Sequence, residues 1–359
     1  MDFTAFRENI GPRAIAMNWT EAVSNRTPYL GETLFPAKKK AGLDLAWIKG
    51  TKGVPVTLMP SAFDAKATFR DRPGMGKTET EMPFFREGAM LKEKDRQKLL
   101  MLQENSGPYV EEIIRRYLDD AARLIEGAAV ARERMRMALL FPTAVAPKPG
   151  ISIVANGVSY VYDYDPNSTW AAQHYIPLSG NSSWDNPATA DPFTQIETHK
   201  QQINNDSGET ITTLIMNTVT FNKLVKIDAI KNRFLTTTGL SVGYLTGSEV
   251  TRVINDVNRV RIAIYDKQYK DESGNTAKFV PDNYVAFVPE GTLGKTWFGT
   301  TPEEADLLAG VNHDVSIIDT GVAILRTVQE HPVLLNTFVS QIALPSYERM
   351  PGVGLMKVA

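Results

Sequence analysis

The longest helical signal in the chain is the stretch PYVEEIIRRYLDDAARLIEGAAVARERMRMALLFP, residues 108–142. Apolar residues recur in it at alternating steps of four and three, the spacing of one face of an α-helix. Pro108 suits a first turn, Ser106 can cap it, and Pro142 ends the pattern. The sequence predicts a helix over 109–141, about 45 Å long. Its packing stripe is expected to contain Val110, Ile114, Tyr117, Ala121, Leu124, Ala128 and Met135.

Composition indicates a folded protein and excludes several classes of function. The chain has 359 residues, 43% of them hydrophobic, and its 39 Lys and Arg against 41 Asp and Glu leave a formal net charge of −2. The apolar fraction excludes a mainly disordered chain, and the missing basic excess argues against a dedicated nucleic-acid binder. Because cysteine is absent, disulfides, thiolate metal sites and cysteine catalysis are excluded. With no apolar run of membrane-spanning length and no secretory signal, a cytoplasmic protein is expected.

The region before the long helix has little capacity to form its own core. Residues 1–36 contain three prolines and predict an irregular, extended arm with at most a short helix near 20–24. Residues 37–92 show short strand-like runs separated by Gly-rich turns, which is typical of a β-ribbon. Few large apolar residues occur in that ribbon, so it cannot bury a core alone.

The region after the long helix indicates more compact structure. Residues 150–164 predict a β-hairpin with its turn at Asn156-Gly157. From 191 to 320, helical and strand patterns alternate like those of an α/β domain, including a single helix expected over 219–234. The tail from residue 321 contains two further β-rich runs.

Two Gly-Lys-Thr triplets, 76–78 and 294–296, invite a phosphate-loop interpretation. Neither has the required earlier glycine, a preceding apolar strand or a following helix, so both indicate ordinary loops. The spacing of Gly239, Ser241 and Gly243 matches a hydrolase nucleophile elbow but lacks the flanking strand and helix.

Metal sites are equally poorly supported by the sequence. Asp163, Asp165 and Asn167 are spaced like the start of a calcium loop, but Ser168 and His174 occupy the positions that require Gly and Glu. The four histidines are scattered along the chain without a ligand-like pair. We therefore expect no catalytic, metal-binding or cofactor-binding residues.

The dimensions of the elements point to assembly. A globular chain of this length has a radius of gyration near 21 Å, about half the length of the predicted helix. The arm and the ribbon have no evident way to be buried in a compact monomer. Such segments usually find their partners on another copy of the chain.

Five short segments together resemble one known family. They are 33–36 (Thr-Leu-Phe-Pro), 47–50 (Trp-Ile-Lys-Gly), 58–64 (Leu-Met-Pro-Ser-Ala-Phe-Asp), 82–87 (Met-Pro-Phe-Phe-Arg-Glu) and 342–345 (Ile-Ala-Leu-Pro) followed by Tyr347. The region of Asp95 and Arg96 adds to the match. With the order of elements along the chain, they make it similar to the lambda-like major capsid proteins of tailed bacteriophages, the major capsid protein E family.

The resemblance implies an α+β chain with the Hong Kong 97-type capsid fold. It implies an N-terminal arm (1–36), an extended loop lying over a neighbouring subunit (37–92), a peripheral domain (93–190) with the spine helix, an axial domain (191–320), and a return to the peripheral sheet (321–359). In the extended loop, contacts to a neighbour are expected from Trp47, Ile48, Lys49, Met59, Phe63, Arg70, Arg72, Lys77, Phe84 and Phe85.

The resemblance also implies the function and the partners. It implies a non-enzymatic major capsid protein whose hexamers and pentamers form an icosahedral head shell around double-stranded DNA, assembled in the host bacterial cytoplasm. The implied partners are a separate scaffolding protein, a maturation protease, a portal and a decoration protein, with no cofactor, no membrane and no sequence-specific DNA binding. The alternatives are an encapsulin-like nanocompartment shell and, remotely, an α/β hydrolase using Ser241.

Overall fold

The computed structural model describes residues 11–24, 27–49, 76–91, 108–143, 147–155, 158–238, 245–271, 274–310, 314–329 and 334–359. The chain divides into two compact units, each discontinuous in sequence. The first draws on Met1–Ala46, Glu79–Arg134 and Lys295–Ser346, and the second on Trp47–Thr78, Met135–Gly294 and Tyr347–Ala359.

The helices in the described residues are α1 (Pro12–Ser24), α2 (Leu30–Leu34), α3 (Pro108–Leu140), α4 (Thr169–His174), α5 (Pro192–Ser207), α6 (Thr218–Lys226), α7 (Asp228–Thr238), α8 (Gly247–Asn258) and α9 (Pro302–Leu308). The strands are β1 (Ala37–Lys39), β2 (Asp44–Lys49), β3 (Gly76–Glu81), β4 (Phe84–Leu91), β5 (Gly150–Ala155), β6 (Val158–Asp163), β7 (Tyr175–Pro177), β8 (Ile211–Met216), β9 (Arg261–Ile264), β10 (Gln268–Lys270), β11 (Thr276–Lys278), β12 (Tyr284–Pro289), β13 (Thr296–Phe298), β14 (Val315–Ile318), β15 (Val322–Gln329), β16 (Leu334–Pro345) and β17 (Gly354–Lys357). Within the described ranges, no helix is long and apolar enough to cross a membrane.

The first unit is organised around the long strand β16. Along most of its length β16 pairs antiparallel with β15 on one edge and with β4 on the other, and its carboxyl end pairs with β13. The sheet order is β1-β13-β16-β15-β14, with β4 joining at β16. Because opposed residues of an antiparallel pair share a face, Val322 and Ile324 of β15 line up with Gln341 and Val339 of β16.

One face of this sheet carries the core of the first unit. Ile15 and Trp19 of α1, together with Ala121 and Ile125 of α3, pack against Phe298, Ile318, Val322, Ile324, Val339 and Ala343. Burying one such aliphatic or aromatic side chain stabilises the fold by about 1.5–3 kcal/mol. The helices α1 and α3 are therefore held by apolar contact with the sheet.

Two buried charged residues on α3 have long-range partners in the same unit. Glu133 is fully buried, and its Oε1 accepts a hydrogen bond from the backbone N–H of Gly31 in α2 at 3.0 Å. Arg132 donates from Nη1 to Oε1 of Gln341 at 2.6 Å, and its guanidinium lies 5.3 Å from the ring centroid of Phe298. Buried charges need such partners, so these contacts set the register of α3 on the sheet.

The second unit contains a five-stranded mixed sheet in the order β7-β17-β12-β8-β9. Its core combines Leu214 and Phe287 of the sheet with Ile196, Phe221 and Val250 of the helices. The local sequence defines the helix ends. Asp191 caps α5 before Pro192, Asn217 caps α6, and Thr246 with Glu249 forms a capping box on α8. These caps explain why the α/β alternation was readable in the sequence.

The structure confirms the two strongest local predictions. The helix expected over 109–141 is α3, Pro108–Leu140. The hairpin expected over 150–164 consists of β5 and β6, which pair from Gly150 with Asp163 to Ala155 with Val158. The turn itself, residues 156–157, lies outside the described residues.

Two local predictions were wrong. The described part of the expected arm, residues 11–24 and 27–36, is mainly helical and not extended, because α1 and α2 occupy most of it. Pro12 begins α1, and burial of Ile15 and Trp19 against the sheet stabilises it, a long-range effect that local patterns do not report. The helix expected over 219–234 is two helices, because Ile227 adopts an extended conformation and Asp228 donates its N–H to the carbonyl of Pro187.

The unit boundaries differ from the boundaries expected from sequence. β13, α9 and β14 belong to the first unit, whereas β17 pairs within the sheet of the second. The ends of the expected extended loop, β1 and β4, are strands of the first unit's sheet. Assignment of the arm, the loop and the peripheral and axial domains remains a prediction.

The core of the second unit contains a buried histidine that makes stability depend on pH. Neither ring nitrogen of His199 has a hydrogen-bond partner among the described residues, and the ring of Phe287 packs edge-on against it with 4.6 Å between the ring centroids. Burial, and to a lesser extent the nearby His174, lowers the pKa of His199 to about 3. Between that value and the unfolded pKa near 6.5, only the unfolded chain binds the proton, so stability falls as pH falls.

We expect His199→Leu to stabilise the second unit at pH 7 by about 1–3 kcal/mol, because two unpaired buried nitrogens are removed. At pH 5 the difference in unfolding free energy between the variant and wild type should be larger by about 2 kcal/mol, because the variant has no histidine here that takes up a proton on unfolding. Urea unfolding followed by tryptophan fluorescence at both pH values measures this. Gln201→Leu, at an exposed position of the same helix, is the control. The prediction would be contradicted if His199→Leu lost as much stability between pH 7 and pH 5 as the wild type does.

Candidate assembly site

The residues expected to contact a neighbour are only partly within the described chain. Met59, Phe63, Arg70 and Arg72 lie outside the described residues. Trp47, Ile48 and Lys49 belong to β2, and Lys77 belongs to β3; these strands pair as a two-stranded sheet. Phe84 and Phe85 are half-buried at the start of β4, opposite Ile342 and Gln341. The structure therefore places Phe84 and Phe85 in the sheet of their own chain, and their contact with a neighbour remains a prediction.

The two-stranded ribbon β2–β3 begins and ends at a well-packed base. We call residues 37–43 the first leg and residues 82–91 the second leg of the extended loop. At the base, Met82 donates its backbone N–H to the carbonyl of Leu43 at 2.9 Å. Leu45 and Met82 are buried, with 0% and 2% of their surface exposed. The ribbon thus starts from a site where both legs are fixed to each other.

Gly299 brings both legs against the sheet. Its N–H donates to the carbonyl of Ile342 at 3.0 Å. A Cβ at this position would lie 2.7 Å from Cγ2 of Ile342, 2.8 Å from the carbonyl oxygen of Gly42 and 3.0 Å from Cε of Met82. Only glycine permits this approach. Sequence reasoning missed the residue, although a glycine directly after a strand often marks close contact between backbones.

In the described part of the expected spine-helix stripe, the side chains are buried or partly buried. Ala121 and Met135 are buried, with 1% and 2% of their surface exposed, and Leu124 and Ala128 are partly buried against the core of the first unit. Gln341 also donates from Nε2 to the carbonyl of Ala128 at 3.0 Å. Val110, Ile114 and Tyr117 lie in α3, but their side chains are outside the described set.

The nucleotide and hydrolase motifs lack the local structure that their chemistry needs. Residues 76–78 begin β3, and Thr296 begins β13, so strands occupy the places where a phosphate loop needs a helix. Residues 239–244, including Ser241, lie outside the described chain, and the helix α7 precedes them where a nucleophile elbow needs a strand.

The calcium-like spacing serves a helix cap. The carboxylate of Asp165 accepts hydrogen bonds from the backbone N–H groups of Thr169, Trp170 and Ala171 at 3.0–3.2 Å, and so caps α4. Its oxygens are used within the fold. His174 contacts Asp206, with 2.9 Å between Nε2 and Oδ2. No cluster of three or more potential metal ligands occurs among the described residues.

Comparison with solved structures identifies the class of fold. A phage-related protein from Bordetella bronchiseptica RB50 superposes with a TM-score of 0.56 at 15% identity, covering 96% of each chain. A protein described as the capsid protein of a prophage in Escherichia coli CFT073 gives 0.52 at 13% identity, covering 79% of this chain and 80% of its own. The chain has the fold of phage capsid proteins, the Hong Kong 97-type fold.

The family follows from the sequence profile that matches. The profile described as phage major capsid protein E matches residues 14–314. The chain belongs to this family and is a shell-forming capsid protein. No curated protein sequence matches it.

We expect Gly299→Ala to destabilise the first unit by about 1–3 kcal/mol, because its Cβ would overpack the base of the loop. Exchange of the Met82 amide hydrogen should accelerate, since its bond to Leu43 lies beside the new methyl group. Urea unfolding and hydrogen exchange measure the two effects.

Gly127→Ala is the matched control, because apart from its chain neighbours and the backbone of its own helix no described atom lies within 4 Å of a Cβ built there. This change, in the interior of α3, should stabilise the protein by about 0.5–1 kcal/mol. Equal effects of the two substitutions would show that Gly299 is not a close-contact position.

Proposed function

We propose that this chain forms hexamers and pentamers that build an icosahedral head shell around the double-stranded DNA of a tailed bacteriophage, with the extended loop lying over a neighbouring subunit. The observation that carries this proposal is the ribbon β2–β3. It leaves a base at which both legs are fixed, and it pairs with no other strand in the described part of the chain. A two-stranded ribbon is marginal alone in water, so a neighbouring copy is its natural support.

The net charge of the chain suits a container for DNA. A formal charge of −2 gives no general attraction to phosphates, so the wall does not retain the DNA that it must release. We propose that the chain is not an enzyme and uses no cofactor. We also propose that a separate scaffolding protein, a maturation protease, a portal and a decoration protein act with it, and that assembly takes place in the bacterial cytoplasm.

Subunit contacts in this proposal are individually modest. A single stable protein–protein interface buries about 1,600 Å² in total. In its described part the ribbon consists of two six-residue strands, so the contact that these strands can make is weak by itself. Many such contacts in a closed shell add up through multivalency.

We expect that replacing residues 51–75 by a short Gly-Ser turn between β2 and β3 abolishes shells and leaves the subunit folded. The described strands of both sheets lie outside the replaced residues, so the melting temperature should change by only a few °C, about the effect of 1 kcal/mol. Electron microscopy and sedimentation measure assembly, with the phage's scaffolding protein added where the wild-type chain alone forms no particles.

Ser241→Ala serves as the control, and it should change neither the particle yield nor any esterase signal. Normal shells from the shortened chain would contradict the role of the loop. Loss of the cooperative unfolding transition would instead show that 51–75 belongs to a core. Loss of an esterase activity in Ser241→Ala would support the hydrolase alternative.

A further inference from the structure

Two adjacent carboxylates in the first turn of α9 each pair with a different leg of the extended loop. The local sequence Thr301-Pro302-Glu303-Glu304 explains their placement. Thr301 caps the helix by accepting from the N–H of Glu304, and Pro302 occupies the first position. Both acidic side chains therefore project from one rigid turn.

Glu303 holds the second leg. It is 4% exposed, and its Oε2 accepts from the hydroxyl of Ser340 at 2.7 Å. Its Oε1 lies 3.1 Å from Nη2 of Arg86 on β4, an ion pair without hydrogen-bond geometry. The guanidinium of Arg86 also lies 5.0 Å from the ring centroid of Phe338. The same ring leaves no room for a side chain at Gly88. Arg86 is thus held between Glu303 and an aromatic ring.

Glu304 holds the first leg through an ion pair with Lys39 of β1. The side chain of Glu304 is 13% exposed and that of Lys39 is 31% exposed, so water screens this pair only partly. A surface pair would contribute little, but a carboxylate that is largely withdrawn from water depends on its counter-ion. If a leg moves away from α9, the carboxylate that paired with it is left without a counter-ion.

We propose that Glu303 and Glu304 are positioning residues that set the direction in which the extended loop leaves the subunit. The two ion pairs oppose rotation of either leg away from α9. Because the two ion pairs act at the base of the ribbon, a small rotation of a leg there produces a much larger displacement at the far end of the ribbon. The inference rests on the proposed role of the loop in assembly.

The test uses charge reversal and rescue in the full-length chain. Lys39→Glu and Glu304→Lys each place like charges together, and the double variant restores an opposite pair. In the unassembled protein, we expect amide hydrogen exchange in β2 and β3 to accelerate by about fivefold or more in each single variant and to return close to wild type in the double variant. Exchange in α5 and β12 should stay unchanged. Particle yield should follow the same pattern.

Two further variants separate positioning from general stability. Glu303→Gln keeps an acceptor for Ser340 and removes the charge opposite Arg86, so exchange in β4 should accelerate without global unfolding. Arg123→Glu alters an exposed ion pair with Asp120 on α3 and should change neither exchange nor yield.

Three results would overturn the inference. The first is that Lys39→Glu and Glu304→Lys both show the hydrogen exchange and the particle yield of wild type. The second is that the double variant has wild-type thermal stability but recovers neither exchange nor yield. The third is that Glu303→Gln folds and its exchange in β4 is unchanged. Failure of the wild-type chain to form particles would count against the proposed function instead. The exchange measurement on unassembled protein tests the positioning of the legs in either case.

Discussion

Strand β16 has hydrogen-bonded neighbours on both edges, and this pairing organises the first unit. β15 fills one edge, β4 fills the other, and β13 takes over at the carboxyl end. One end of the extended loop region, β4, pairs with β16 directly, and the other end, β1, is joined to it through β13. Because register fixes which side chains share a face, the same pairing aligns the apolar surface on which α1 and α3 pack.

The apolar core orients the packed helices and strands only roughly, and buried charged residues fix their positions more closely. Apolar contact is non-directional, so it holds α3 against the sheet without selecting one register. Glu133 and Arg132 add directional bonds to Gly31 and Gln341. Glu303 links α9 to β4 through an ion pair with Arg86 and to β16 through a hydrogen bond from Ser340. Losing a partner in such a pair leaves a buried charge, which is strongly destabilising.

Local patterns predicted the elements whose stability is local. The helix α3 and the hairpin β5–β6 were evident from periodicity and from an Asn-Gly turn, because those signals lie within the segment itself. Of the helix α1, only a short part near 20–24 was expected, since burial of Ile15 and Trp19 on a distant sheet supports the rest. In the candidate site, Phe84 and Phe85 were singled out, but Gly299 was not, because its role depends on Gly42 and Met82 arriving from elsewhere.

The amino-acid sequence was sufficient to define the class of protein: a long helix, a core-poor ribbon and short family-like segments pointed to a shell subunit. Its local signals also located most of the helices and strands. The composition of the two units and the base of the loop depended on three-dimensional pairing. β4 joins β16 across more than 240 residues, as Phe84 opposite Ile342 illustrates, and Glu304 meets Lys39 across a sequence separation of 265. No local propensity encodes such a contact, because its free energy exists only when both partners are already in place.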